Sequence, residues 1–226
     1  APLSVILIGS ESLTIEAGRQ MRARGCDLHA VVTHSADVRK WAAGEGLDVL
    51  GFGTGLAARL GDPVDWIFSV ANLELLSADL LALGSKGAVN FHDGPLPRYA
   101  GVNAPVWALL NGEVQHGITW HMIEGGVDEG RIIAQEMFDI RASDTAFTLN
   151  TRCFEAGVQS FARVLDAVEN DAPHAQVQNL GERSYFALAE RPDGYGFVDH
   201  THPRDEALRL VRALDHGPYW NPLCTA

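Results

Sequence analysis

Asn90 and His92 stand two positions apart at the end of an apolar stretch and run directly into Asp93-Gly94-Pro95-Leu96-Pro97-Arg98-Tyr99-Ala100-Gly101, a loop stiffened by two prolines. Alternate side chains of an extended chain share a face, so the amide and the imidazole are expected to leave a strand pointing the same way. The open carboxyl end of a strand in an α/β sheet is where ligands bind. A carboxylate, Asp128, follows 36 residues after His92, within the glycine-rich turn Gly125-Gly126-Val127-Asp128-Glu129-Gly130. Such a group can orient a histidine and support its cationic form. Amide, imidazole and carboxylate together point to transfer at a carbonyl. Each alone has a plainer reading: Asn90 capping a turn, His92 packed beneath the prolines, Asp128 an ordinary loop aspartate. Their joint placement favours chemistry, because a turn needs no imidazole there.

Two further residues, Trp120 and His121, are neighbours on one expected strand, so only one of them can face the pocket; a satisfied sheet histidine is an equally good reading of His121. His34, His174, His200 and His202 have no acidic or cysteine partner at metal-ligand spacing and read as surface residues.

Positioning these groups requires a scaffold, and the chain spells one out in alternating units. The apolar run Ser4-Val5-Ile6-Leu7-Ile8 reads as a strand, Leu13, Ala17, Met21 and Arg24 have helical spacing, and the pattern repeats as strands over 28–33, 48–50 and 66–71 and helices over 36–45 and 55–60. Such βα repetition implies a parallel sheet with right-handed crossovers. Ser77 is expected to cap a helix over 78–83, residues 88–91 to form the strand that carries Asn90, and residues 104–111 to form a helix with Pro105 in its first turn. Residues 117–122 and 131–136 then alternate on either side of the glycine-rich turn, as two strands joined by a functional loop. Ser143 opens a long helix over 145–168, which Asn170-Asp171-Ala172-Pro173 stops, and one more helix is expected over 204–214. The fold class is therefore α/β: a Rossmann-like, doubly wound, mostly parallel sheet with a small C-terminal appendage. Residues 1–175 form the catalytic domain and 176–226 a small subdomain leading to a linker. Gly9-Ser10-Glu11-Ser12 lacks the spacing of either common phosphate loop and reads as a tight βα turn.

Composition narrows the function classes. A net charge of −12 over 226 residues, with Lys40 and Lys86 the only lysines, argues against a nucleic-acid partner, which requires clustered positive charge. No apolar run is long enough to span a membrane, and no cleavable signal pattern opens the chain. Cys26, Cys153 and Cys224 are far apart and fit neither a disulfide framework nor a zinc site. A cytoplasmic enzyme without a metal is expected. The first residue is Ala rather than Met, which suggests a processed protein or an excised domain.

Asn90-x-His92, the following Pro-Leu-Pro-Arg-Tyr-x-Gly, Trp107-Ala108-Leu109-Leu110-Asn111-Gly112-Glu113, His116-Gly117-Ile118-Thr119 and Val127-Asp128-x-Gly130 resemble the formyltransferase family that uses 10-formyltetrahydrofolate. The resemblance is densest over 73–136. It implies that Asn90, His92 and Asp128 are catalytic. An acceptor amine would attack the formyl carbon, with the Asn90 amide and protonated His92 steadying the oxyanion. His92 would protonate N10 of the departing folate, while Asp128 would hold His92 cationic and accept the amine proton through a water. The resemblance also implies a pterin against Leu75 and Leu76, read along its polar edge by the backbone of Gly125, Gly126, Val127 and Asp128; ordinary core is the other reading of the two leucines. Many family members follow the histidine with Pro-Ser or Gly-Ser, whereas this chain has Asp93-Gly94, so Asp93 is expected to help receive a positively charged acceptor, alongside His121 or Trp120.

The wording around 92–107 and the closing segment 210–222 look most like formylation domains of peptide-synthetase and polyketide assembly lines. The expected acceptor is accordingly an aminoacyl thioester presented by a carrier-protein domain. Amino-sugar nucleotides and glycinamide ribonucleotide are the alternative acceptors, and a folate-binding or docking module without catalysis is the non-enzyme alternative.

Overall fold

A computed structural model describes residues 2–172, 174–198 and 200–223; Pro173 and Cys224 lie outside the described residues. The amino-terminal half alternates β1 (Ser4–Ile8), α1 (Ser12–Ala23), β2 (Asp27–Val32), α2 (Ala36–Gly44), β3 (Val49–Leu50), α3 (Leu56–Leu60), β4 (Val64–Ser69) and α4 (Ala78–Leu81). Then come β5 (Gly84–His92), β6 (Ala100–Gly101), α5 (Ala104–Leu110), β7 (Gln115–Met122), β8 (Ile132–Asp139), α6 (Ala146–Glu169), β9 (Tyr185–Phe186) and α7 (Arg204–Leu214). Seven strands form one sheet in the order β3-β2-β1-β4-β5-β7-β8. Pairing is parallel from β3 through β5 and antiparallel at β5/β7 and β7/β8. The expected α/β architecture with a mostly parallel sheet is thus present.

Both faces of the sheet are covered, which is why its central strands are apolar on both sides. Val5 and Leu7 face α1, α2 and α6, whereas Ile6 and Ile8 face α3 and α4. The βα turn after β1 is as tight as its glycine suggests: a Cβ on Gly9 would lie 1.9 Å from the Val70 carbonyl oxygen. Thr145, rather than Ser143, caps α6, its hydroxyl accepting the Thr148 N–H at 3.2 Å. β5 is longer than the apolar run indicates, because Ser85, Lys86 and Gly87 continue the strand as polar or small residues beside β4.

The segment after α6 folds back onto the site side. β9 pairs in parallel with β6. Phe186 stacks between the rings of Tyr99 and Trp107, with centroids 5.4 and 4.8 Å away. Leu210 and Ala213 of α7 are buried, the latter in a cluster with Tyr99, Trp107 and Leu109. Among the described residues, no helix is long and apolar enough to cross a membrane.

Candidate active site

The carboxyl half of β5 carries Asn90 and His92, and its antiparallel partner β7 decides what stands beside them. Asn90 pairs with His121, Phe91 with Trp120 and His92 with Thr119. Directly paired residues share a face of the sheet, so Asn90, His92, Thr119 and His121 line one side and Phe91 and Trp120 the other. Asn90 Nδ2 lies 3.2 Å from His121 Nε2 and donates to the Phe91 carbonyl at 3.0 Å. Trp120 is fully buried, 5.1 Å from Phe91 between ring centroids, with its indole N–H on Ser160 Oγ. The expectation that Trp120 could bind substrate is therefore corrected: its strand parity turns it into the core under α6. His121 occupies the pocket side.

The imidazole of His92 is fixed in one orientation. Its Nε2 sits 2.7 Å from the Tyr99 carbonyl oxygen, which can only accept, so Nε2 carries a hydrogen and Nδ1 is the atom free to exchange a proton. Nδ1 faces Asp128 Oδ2 at 3.6 Å and Asp93 Oδ1 at 3.9 Å. Asp128 reaches back from the 123–131 loop in a left-handed conformation, φ 56°. Its Oδ2 accepts the Gly101 N–H at 2.9 Å and its Oδ1 lies 3.4 Å from His121 Nε2. Burial alone would raise its pKa, but the two histidines and the Gly101 amide outweigh burial and hold it at about 2. Asp128 is therefore a permanent anion at neutral pH.

Several positioning contacts have no sequence signature. Gln178 is buried, and its Nε2 donates to the carbonyls of Asp128 and Gly130 at 2.9 and 2.7 Å, tying the loop to the C-terminal segment 50 residues on. Gly130 admits no side chain, since a Cβ there would lie 1.7 Å from the Met122 carbonyl oxygen. Thr119 donates to the Gly94 carbonyl at 2.8 Å and accepts the Leu96 N–H at 3.1 Å, pinning the proline loop to β7. Gly125 supplies a positive φ of 68°, and the Gly126 N–H is taken by Glu129 at 3.2 Å. Leu75 is 85% exposed, so the core reading does not apply to it, whereas Leu76 is half-buried against the cluster around Leu80. Among the described residues, no group of three or more His, Cys, Asp or Glu side chains is arranged to hold a metal ion.

Beneath the site, His116 donates its Nε2–H to the Asp93 carbonyl at 2.8 Å, and its buried Nδ1 has no partner. Burial lowers its pKa from 6.5 to about 4. The unfolded chain therefore takes up this proton first as the pH falls. The stabilisation is complete above about pH 6.5 and is lost progressively toward pH 4, by roughly 3 kcal/mol at about 1.4 kcal/mol per unit. Denaturant unfolding at a series of pH values should show this decline, and His116→Gln should flatten it. An unchanged slope in the variant would assign the loss elsewhere.

This geometry has known counterparts. The family described as "Formyl transferase" matches residues 60–165. GDP-perosamine N-formyltransferase of Brucella melitensis is 31% identical over 196 residues, which cover 87% of this chain and 72% of that protein. The chain belongs to the formyl transferase family. This formyltransferase also shares its fold with solved structures. An N-formyltransferase from Helicobacter canadensis in complex with folinic acid and dTDP-3-aminofucose superposes with a TM-score of 0.79 at 21% identity, over 94% of this chain and 80% of that one. A 4-N formyltransferase from Francisella tularensis gives 0.80 at 20% identity, over 97% and 90%. The protein is accordingly an N-formyltransferase, and the non-enzyme alternative gives way.

Proposed function

We propose that this formyltransferase acts on the primary amine of a nucleotide-linked amino sugar, with Asn90, His92 and Asp128 as its catalytic residues. The observation that carries the chemistry is His92, its Nε2 committed to the Tyr99 carbonyl and its Nδ1 turned to a fixed anion. The acceptor class is supported by the likeness to GDP-perosamine N-formyltransferase. The expected carrier-bound aminoacyl thioester shares only the amine with that acceptor and is kept as the competing reading, beside glycinamide ribonucleotide.

10-Formyltetrahydrofolate supplies the electrophilic formyl carbon and N10 as the leaving nitrogen. Asp128 Oδ2 faces Nδ1 at 3.6 Å, the nitrogen placed to deliver a proton to N10. Asn90 Nδ2 donates to the Phe91 carbonyl at 3.0 Å and lies 3.2 Å from His121 Nε2. A developing oxyanion accepts a stronger hydrogen bond than a neutral acceptor, so the Asn90 amide is suited to steady it. For the pterin, the exposed side chains of Leu75, on the loop after β4, and of Val127, on the loop that carries Asp128, offer apolar surface that a flat ring would remove from water. The backbone of Gly125 and Val127, on that same loop, is assigned the polar contacts to its edge.

The test is turnover with 10-formyltetrahydrofolate against a panel of GDP- and dTDP-linked 3- and 4-amino sugars, glycinamide ribonucleotide and carrier-bound aminoacyl thioesters, read by mass spectrometry of the product. Formylation of at least one amino-sugar nucleotide is expected. Turnover confined to carrier-bound thioesters would overturn the acceptor assignment.

A further inference from the structure

His92 Nδ1 has carboxylates on two sides, and they are held very differently. Both oxygens of Asp128 are engaged, one by the Gly101 N–H and one beside His121 Nε2. The Asp93 carboxylate accepts no hydrogen bond from any other described residue, and its side chain keeps 29% exposure. Around it stand His92 at 3.9 Å, Asp128 at the same imidazole nitrogen, Cys153 from α6 and the neutral His116 on its main-chain carbonyl. A partly exposed carboxylate that accepts no hydrogen bond from a neighbour and stands 3.9 Å from the proton-exchanging nitrogen can do what a fully engaged anion cannot.

We propose that Asp93 is a second catalytic carboxylate, which receives the acceptor nitrogen, takes the proton that nitrogen sheds and returns it to His92 Nδ1. This rests on the formyl-transfer reading above and deepens it. The free amine's lone pair forms the C–N bond while the formyl C=O pair moves onto oxygen. The adduct nitrogen, now positive, gives one proton to Asp93. Re-formation of the C=O breaks the C–N10 bond, and N10 takes the proton from the His92 imidazolium. Transfer from Asp93 to Nδ1, directly or through one water, restores both residues. One proton has then moved from the acceptor nitrogen to N10.

The differing environments agree with this division of labour. Burial and the nearby Asp128 anion push the Asp93 carboxyl above its ordinary range, with His92 opposing them, whereas Asp128 is held at about 2 and is too weak a base for the proton-accepting part expected of it. Environments that push paired groups apart identify the acid and base assignments. The same contrast supplies the test, run with an acid-stable 10-formylfolate analogue. Wild-type kcat should fall on an acid limb lying above the usual aspartate value of about 4. Asp93→Asn should lower kcat by roughly 10²-fold or more and lose that limb, while Asp93→Glu regains part of the rate and binding of the folate analogue is unchanged. A wild-type kcat that is flat down to the ordinary carboxylate range, or an Asp93→Asn variant with wild-type kcat and pH profile, would overturn the proposal. Absence of wild-type turnover with every amine, despite folate binding, would instead overturn the formyl-transfer reading itself.

Discussion

His92→Ala is expected to bind 10-formyltetrahydrofolate and to lose about 10²–10⁴-fold in kcat, the range for removal of a general acid. The imidazole is one-sided by construction: with Nε2 held by the Tyr99 carbonyl, no other side chain of the site can present a proton where Nδ1 does. Asp128 and Asp93 are acceptors when ionised, His121 commits its Nδ1 to the Met122 carbonyl at 2.8 Å, and Asn90 donates without titrating. Asn90→Ala should cost about 10²–10³-fold by removing a donor to the oxyanion, and the double variant should lose less than the product of the two, since both act on one transition state. Steady-state kinetics with a good acceptor, together with a folate titration on the same preparations, separate the two effects. A His92→Ala enzyme within a few-fold of wild-type kcat would remove His92 from the proton path, and the Asp93 relay with it.

How far the site could be read in the sequence depends on which groups build it. Asn90, His92 and Asp128 are side chains with recognisable chemistry, and period-two geometry was enough to put the first two on one face. The groups that orient them are not of that kind. The Tyr99 carbonyl and the Gly101 amide belong to the main chain, which every residue carries, and their roles arise only when the proline loop curls back with Tyr99 at φ 58°. Gln178 acts from beyond the long helix, where no spacing rule connects it to the 128–130 turn. The βα repetition of the first half was legible because buried parallel strands are continuous apolar runs. The amino-terminal part of β5 was not, since Ser85-Lys86-Gly87 carries no such run and is held as strand by its pairing to β4.

The choice between Trp120 and His121 turned on register, and it yields the largest expected effect on stability. Trp120→Ala should cost about 3–5 kcal/mol, the range for emptying a large buried aromatic site, because the indole packs on Phe91 and on Phe161 with centroids 5.1 and 4.9 Å away. Trp120→Phe should cost less, losing the N–H bond to Ser160 Oγ at 2.9 Å, a hydroxyl that retains its own bond to the Ala156 carbonyl at 2.7 Å. Phe91 lies between Asn90 and His92 on the same strand, so Trp120 packs directly behind the point where those two side chains leave β5. Denaturant unfolding of both variants measures the cost. The discriminating measurement is the acceptor KM of Trp120→Phe, taken where the variant is fully folded: it should equal that of the wild type, since the indole lies behind the sheet, whereas a large rise would return Trp120 to the substrate side and contradict the pairing of Asn90 with His121.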